Sequence, residues 1–411
     1  MGVNIIHFVS PVSPEGLEQD LAGTLEETGA SVYNDNEFLD LLKNTVSALG
    51  DHNYIFVGTG GTENAIIEFV QSASLEQPIR LLSYEGRNSL PAAMEARTGL
   101  QKMGFESRII HNQIEDLMKE LSEWVAFALV EEKIRGTRFG IVGNPSFWLV
   151  GSSVDPLAVK DKWGFEIEEF SLNDLLHRMG DKLSPDYEPV LKELVDGAMN
   201  VDRPNDELER AAVFSQTLKE FITEKGLNTV TVECFRLFEE KDVSGCHALS
   251  HLNDQDGITA GCEGDIPSTF TMMLAEILTG RPSFMANVAD VDSEENTALF
   301  AHCTCPTSLL EDYEITTHYE TGSSVAIRGR FKPQPVTILK VSGSSLDEYW
   351  VSSGEIVEST RSDNACRTQI RVRLDEPVSY FLEGSLANHH VVVPGDHSET
   401  FRRFLSFKLE F

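Results

Sequence analysis

Short apolar runs alternating with amphipathic stretches fill the first third of the chain. Ile5–Val9, Tyr54–Val57 and Leu81–Tyr84 read as strands, and the stretches after them, up to Glu27, from Thr62 to Val70 and from Ser89 to Met103, space their apolar residues as helices do. Such strands need cover on both faces, which predicts a parallel sheet in a doubly wound α/β domain over residues 1–136, with a last helix from Ile114 to Arg135. Phe139–Val142 restarts the alternation. A helix from Asp155 to Trp163, a strand from Phe165 to Phe170, a long polar helical stretch from Pro185 to Lys225 and a strand Val230–Cys234 then predict a second α/β domain over 137–282. From Ile315 the texture becomes short runs of strand alternation: Ser324–Ile327, Val336–Val341, Gln369–Leu374 and His390–Val393. Glycine, asparagine and serine clusters part them. This predicts an antiparallel β-barrel domain, 283–411, closed by helical turns from Glu399 to Phe407. The expected fold class is therefore α/β: two doubly wound, Rossmann-like parallel-sheet domains followed by a C-terminal antiparallel β-barrel.

One stretch of the second domain carries candidate chemistry. Ile258–Cys262 and Ser283–Val288 read as strands, and the segment between them as a helix. Asp265 suits its N-cap and Pro267 its first turn, while Phe270, Met273, Leu274, Ile277 and Leu278 share a face before Gly280. A right-handed crossover would make the strands parallel and bring Glu263 and Asn287 to one edge. Open α/β sheets bind ligands along that edge, and a helix dipole there keeps a carboxylate ionised, so a metal is the expected occupant.

Composition narrows the partners. The 66 acidic residues against 33 Lys and Arg give a net charge of −33, which repels phosphate backbones and anionic lipids, so neither nucleic acid nor a membrane is an expected partner. The 411 residues are more than one core holds. The start at Met1 runs into an apolar strand without a basic segment, and no apolar run approaches the roughly 20 residues of a membrane helix, so a cytoplasmic location is expected. The six cysteines form no C-x-x-C pair and are expected to be reduced and mostly buried. Cys303 and Cys305 read as packing residues, because a lone C-x-C is half a zinc site. The turn Gly58-Thr59-Gly60-Gly61-Thr62-Glu63 either lets backbone N–H groups approach an anion or sugar hydroxyl, or is a tight strand-to-helix turn. Asn88-Ser89 either caps the Pro91–Met103 helix or touches a sugar.

Glu263-Gly264-Asp265 ahead of its helix, Phe284-Met285-Ala286-Asn287, and Ala387-Asn388-His389 ahead of Val391–Val393, in that order, resemble the L-fucose isomerase family, whose fold L-arabinose isomerase shares. The resemblance runs from Val230 to the C-terminus and more faintly around Thr59–Glu63 and Asn88–Ala92. It implies a divalent cation, Mn2+ or Mg2+, held by a glutamate, an aspartate 24 residues later and a late histidine. Glu263, Asn287 and His389 stand at those positions, with asparagine replacing the aspartate. His302 resembles the extra ligand histidine of the arabinose branch, although a histidine after an apolar run is also an ordinary structural residue; with Thr59, Gly60 and Asn88 it is a candidate sugar contact. The family also implies a homo-oligomer, trimer or hexamer, with the site between the second domain and the barrel.

Interconverting an aldose and a ketose moves one proton between C1 and C2 through an enediol, which needs a base and a cation or donors at O1 and O2. Oxygen ligands with one imidazole favour manganese or magnesium over zinc. The expected activity is thus a metal-dependent aldose–ketose isomerase, an intramolecular oxidoreductase on a free sugar, with Glu263 as ligand and base and Asn287 beside it as the second catalytic candidate. An asparagine ligates without charge and carries no proton. Asp265, Asp290 and Asp292 are near enough in sequence to stand in for the aspartate. Asn287 also admits the alternative of a non-catalytic carbohydrate binder or sensor on the isomerase fold.

Overall fold

The computed structural model describes residues 2–45, 52–179, 187–254 and 257–410, and the chain divides into two compact units, Met1–Glu132 and Lys133–Phe411. In the first, strands β1 (Val3–Phe8), β2 (Ser31–Tyr33), β3 (His52–Val57), β4 (Ile79–Tyr84) and β5 (Ser107–Asn112) form a parallel sheet in the order β2-β1-β3-β4-β5. Helices α1 (Leu17–Glu26), α2 (Asp35–Asn44), α3 (Glu63–Ala73), α4 (Ser89–Lys102) and α5 (Ile114–Arg135) alternate with them. Ile6, Ile55, Val57 and Leu81 of the sheet pack with Phe69, Val70, Ala92 and Ala96 of α3 and α4, as continuous apolar strands require. The strand order reverses between β1 and β3, and ligands of such sheets bind in the crevice beyond the strand ends at that point.

The second unit begins with β6 (Phe139–Val142), β7 (Ile167–Phe170), β8 (Asn200–Val201), β9 (Thr229–Val232) and β10 (Thr259–Gly261). Four of these form a second parallel sheet in the order β10-β9-β6-β7. Its helices are α6 (Pro156–Trp163), α7 (Leu172–Met179), α8 (Glu188–Asp196), α9 (Asn205–Lys225), α10 (Cys234–Lys241), α11 (Cys246–Asn253) and α12 (Ile266–Thr279). The polar stretch expected as one helix is two, α8 and α9, parted by β8; its start at Pro185 lies outside the described residues. The chain continues through β11 (Phe284–Asp292), β12 (Thr297–His302), β13 (Asp312–Thr316), β14 (Ala326–Arg330), β15 (Pro335–Ser342), β16 (Glu348–Ser359), β17 (Thr368–Leu374) and β18 (His389–Pro394). Six of them close an antiparallel barrel, β11-β12-β17-β16-β15-β18, around Phe284, Phe300, Val336, Ile338, Ile356, Ile370 and Val392. The strand expected at Ser324–Ile327 falls instead in a side sheet, β14-β13-β8. Helices α13 (Tyr380–Glu383) and α14 (Ser398–Glu410) end the chain.

The expected parallel crossover from Cys262 to Val288 does not form. Strand β10 is the edge of the α/β sheet, whereas β11 enters the barrel between β12 and β18. The reason lies in α12, which is buried on every side from Ile266 to Ala275 and packs on β9 and β10 as well as on β15 and β18. A helix apolar all round needs two covers, and the barrel is the second. The stripe expected from the spacing, Phe270, Met273, Leu274, Ile277 and Leu278, leaves out Thr269, Thr271 and Met272, which are buried, whereas Ile277 and Leu278 are only partly so.

Candidate active site

The chain leaves β10 in a conformation few side chains adopt. Glu263 and Gly264 both have left-handed backbones, φ 63° and 67°, and for glutamate this costs on the order of 1–3 kcal/mol. Three contacts hold it. Ser146 N–H donates to Glu263 O (2.8 Å), Gly264 N–H donates to Val232 O (3.0 Å), and a Cβ on Gly264 would stand 2.6 Å from Asn144 O. Gly261 is equally constrained, since its Cβ would lie 1.8 Å from Thr269 Oγ1. The outcome is a buried Glu263 carboxylate projecting between α12 and the barrel, with Trp148 Nε1–H donating to Oε2 at 2.8 Å.

Two imidazoles face its other oxygen. Oε1 is 3.7 Å from His389 Nε2 and 3.8 Å from His302 Nε2, and one ligand atom from each of the three residues falls within 4.8 Å of the others. The two rings have different hydrogen-bond partners, from which their tautomers follow. His389 Nδ1 is 2.9 Å from Asp265 Oδ2, and a carboxylate only accepts, so Nδ1 carries the proton and the neutral ring presents a lone pair at Nε2. That Nε2 is buried and has no hydrogen-bond partner. His302 is the opposite case: Thr304 N–H donates to its Nδ1 (3.1 Å), which puts the proton on Nε2 and makes it a donor. His389 Nε2 and a Glu263 carboxylate oxygen thus converge at 3.7 Å in a buried site, a donor pair that a cation accepting from both would satisfy. The residues fit a divalent metal at Glu263 and His389, while His302 fits a hydrogen bond to a substrate oxygen.

Charge is arranged to keep both acids ionised. Burial alone would raise the Glu263 carboxyl, but the two imidazoles facing it, His302 and His389, and the Trp148 N–H outweigh burial and hold it below the usual range. Asp265 is wholly buried, yet the Lys340 ammonium, His389 and Ser268 overcome burial and hold it far lower still. It caps α12 through Ser268 N–H (2.9 Å) and accepts from Ser268 Oγ (2.8 Å), to which Lys340 Nζ donates at 2.8 Å.

The barrel, rather than a crossover, sets Asn287 beside His389. It lies directly opposite His389 in the β11–β18 ladder, and opposed residues of an antiparallel pair share a face. Its Oδ1 accepts from Asn388 Nδ2 (2.9 Å). None of the stand-in acids replaces the missing carboxylate: Asp290 lies 3.7 Å from Arg371, Asp292 accepts the amides of Glu294 and Glu295, and Asp265 is committed to His389 and its helix cap.

Thr59, Gly60 and Asn88 gather in the first unit, at the β1/β3 switch point, around a cleft of ≈460 Å³ lined also by Ser10, Arg87 and Glu63. Thr59 Oγ1 accepts from Ser10 N–H (2.8 Å), and Gly60 N–H donates to Arg87 O (2.9 Å). A Cβ on Gly60 would press on Asn88 Cβ at 3.0 Å. The capping expected of Asn88 is not made: its backbone is left-handed, φ 57°, and its side chain takes no cap bond. Ser89 turns inward instead and joins Tyr84 N to Val57 O. Trp148 and Lys340 were not foreseen from the sequence, and Asp265 was foreseen as a cap but not as the partner of His389; no linear motif ties residues 115 or 124 positions apart.

Two parallel sheets and a closed antiparallel barrel are the fold expected from the resemblance to the L-fucose isomerase family. No protein-family model matches the chain. Curated relatives carry the same indication: the chain is 20% identical over 399 residues to the sulfoquinovose isomerases of Priestia aryabhattai and Priestia megaterium, covering 91% of this chain and 87% of theirs. It is 23% identical over 286 residues to the sulfoquinovose isomerase of Alkalicoccus urumqiensis, 66% of this chain, and that match spans 63% of the relative's length. Among the described residues no helix is long and apolar enough to cross a membrane.

Proposed function

We propose that this chain is a metal-dependent aldose–ketose isomerase acting on a free sugar, with sulfoquinovose, the sugar named for its relatives, as the first candidate. The observation that carries the proposal is the unpartnered, buried His389 Nε2 set 3.7 Å from Glu263 Oε1. Glu263, His389 and the Asn287 oxygen would hold Mn2+ or Mg2+, which when bound supplies Lewis-acid polarisation of the sugar's carbonyl and neighbouring hydroxyl. Glu263 then takes the proton from C2, as the C2–H pair becomes the C1=C2 bond and the carbonyl pair moves to O1. It returns that proton to C1, where the C1=C2 pair forms the new C–H bond, while the O2–H pair becomes the C2=O bond and the O2 proton passes to O1. His302 Nε2–H donates to one of the two oxygens while charge develops there, and Trp148 keeps the base oriented. We propose separately that the first unit's cleft at Thr59, Gly60 and Asn88 contacts sugar hydroxyls. We further propose a cytoplasmic homo-oligomer, a trimer or hexamer, organised as three domains, 1–136, 137–282 and 283–411.

The test is solvent deuterium at C2 or C1 of sulfoquinovose and of a panel of plain aldoses. Exchange should appear with Mn2+, fall to background after chelation and return on adding Mn2+. Sugar binding that survives chelation, with no exchange in any sugar, would replace this reading with the non-catalytic binder that Asn287 favours. Replacing that residue gives a second expected result: Asn287→Asp adds a charged ligand opposite His389 and tightens Mn2+ by about tenfold or more, measured by calorimetry.

A further inference from the structure

The thiols left over from the active-site argument are not scattered in space. Strands β12 and β17 pair with His302 opposite Thr368, so the residues just beyond those ends, Cys303 and Cys366, come together from 63 positions apart. Glu320, on the connection between β13 and β14, completes the group: Cys303 Sγ, Cys366 Sγ and a Glu320 oxygen all lie within 4.8 Å of one another. Cys366 Sγ is 3.5 Å from Glu320 Oε1, and the other carboxylate oxygen is 3.2 Å from His318 Nε2. The sulfurs are buried, whereas the Glu320 side chain is 41% exposed and leaves an entry path.

We propose that Cys303, Cys366 and Glu320 form a binding site for a thiophilic divalent cation, Zn2+ by chemistry, distinct from the hard-cation site at Glu263 and His389 and independent of the isomerase reading. Two soft sulfur donors select zinc where the oxygen-rich set at Glu263 selects manganese or magnesium. A third thiol is at hand: Cys246 lines the same pocket as Cys303, Cys366 and Glu320 and packs in one cluster with the two cysteines. His318 orients the Glu320 carboxylate as a supporting partner does for a ligand. Three protein ligands leave a fourth position open, and the site lines the same cavity as Glu263 and His302.

The experiment uses the full chain, stripped of metal and titrated with Co2+ alone, because cobalt bound by thiolate shows a sulfur-to-metal charge-transfer band that an oxygen and imidazole site does not. One equivalent should develop the band in the wild type and in His389→Asn, and it should be lost in Cys303→Ser/Cys366→Ser with unchanged far-ultraviolet circular dichroism. No band in the wild type, or a band that persists in the double serine variant, overturns the proposal. Should the serine variant fail to fold, Glu320→Ala on intact thiols decides: Zn2+ affinity from chelator competition falls by about tenfold or more, and an unchanged affinity overturns it.

Discussion

Glu263→Gln should abolish exchange of the sugar's C2 proton with solvent, by roughly 10³-fold, while leaving the fold intact. The substitution is isosteric, keeps the Trp148 contact available through its carbonyl oxygen, and leaves in place the contacts that hold the left-handed backbone, Ser146 N–H to Glu263 O and Gly264 N–H to Val232 O. What it removes is the negative charge opposite His389 Nε2, 3.7 Å away, and the carboxylate assigned to take a proton from carbon and return it. Saturating the protein with Mn2+ separates these losses. The affinity drop is overcome by added metal and the proton-transfer loss is not, so exchange stays near background at any Mn2+ concentration. Recovery of a tenth or more of wild-type exchange at high Mn2+ would make Glu263 a ligand only and move the base elsewhere.

Much of this site was legible in the chain because it rests on local signals. Asp265 caps α12 as its position ahead of Pro267 foretells, and Gly280 ends that helix in a left-handed conformation. The strands at Phe139–Val142, Val336–Val341 and Gln369–Leu374 appear with at most a residue or two added at their ends. What was not legible is long-range. The reading of Ser283–Val288 as a parallel strand failed because a local apolar pattern states that a strand is buried, not which sheet buries it. The 12-residue β16 was passed over because its exposed and buried positions follow a barrel wall interrupted by a bulge near Ile356. The cysteine cluster is a further case, since Cys303 reads as a packing residue and only the pairing of β12 with β17 sets Cys366 beside it. The tautomers of His302 and His389 could not have been read at all: they depend on Thr304 N–H and Asp265 Oδ2, one a backbone atom and the other 124 positions away.

Asp265→Asn is expected to cost both stability and metal. In the wild type one carboxylate oxygen takes the Ser268 N–H, and the other takes Ser268 Oγ and His389 Nδ1, with the fully buried Lys340 held one hydroxyl away. An asparagine that keeps its oxygen on the helix cap must turn its NH₂ toward His389. The imidazole then has to accept at Nδ1, its proton moves to Nε2, and the lone pair that faced Glu263 is gone. Mn2+ affinity should fall about 10- to 100-fold, as for other lost ligand-orienting carboxylates. Lys340, whose pKa burial lowers against the pull of Asp265, is left without its anion, and breaking such a pair costs about 3–5 kcal/mol, or about 5–8 °C in thermal midpoint. The pH dependence has a definite sign. A carboxyl held below its ordinary 3.8 binds fewer protons folded than unfolded, so its stabilisation is complete above about pH 4 and is lost as pH falls toward the folded value. The gap between wild type and Asp265→Asn, measured by denaturant unfolding of the metal-free proteins, should therefore be widest near neutrality and narrow in acid. A gap constant down to pH 3 would mean that Asp265 stabilises only as a helix cap, and that His389 is oriented by something other than its charge.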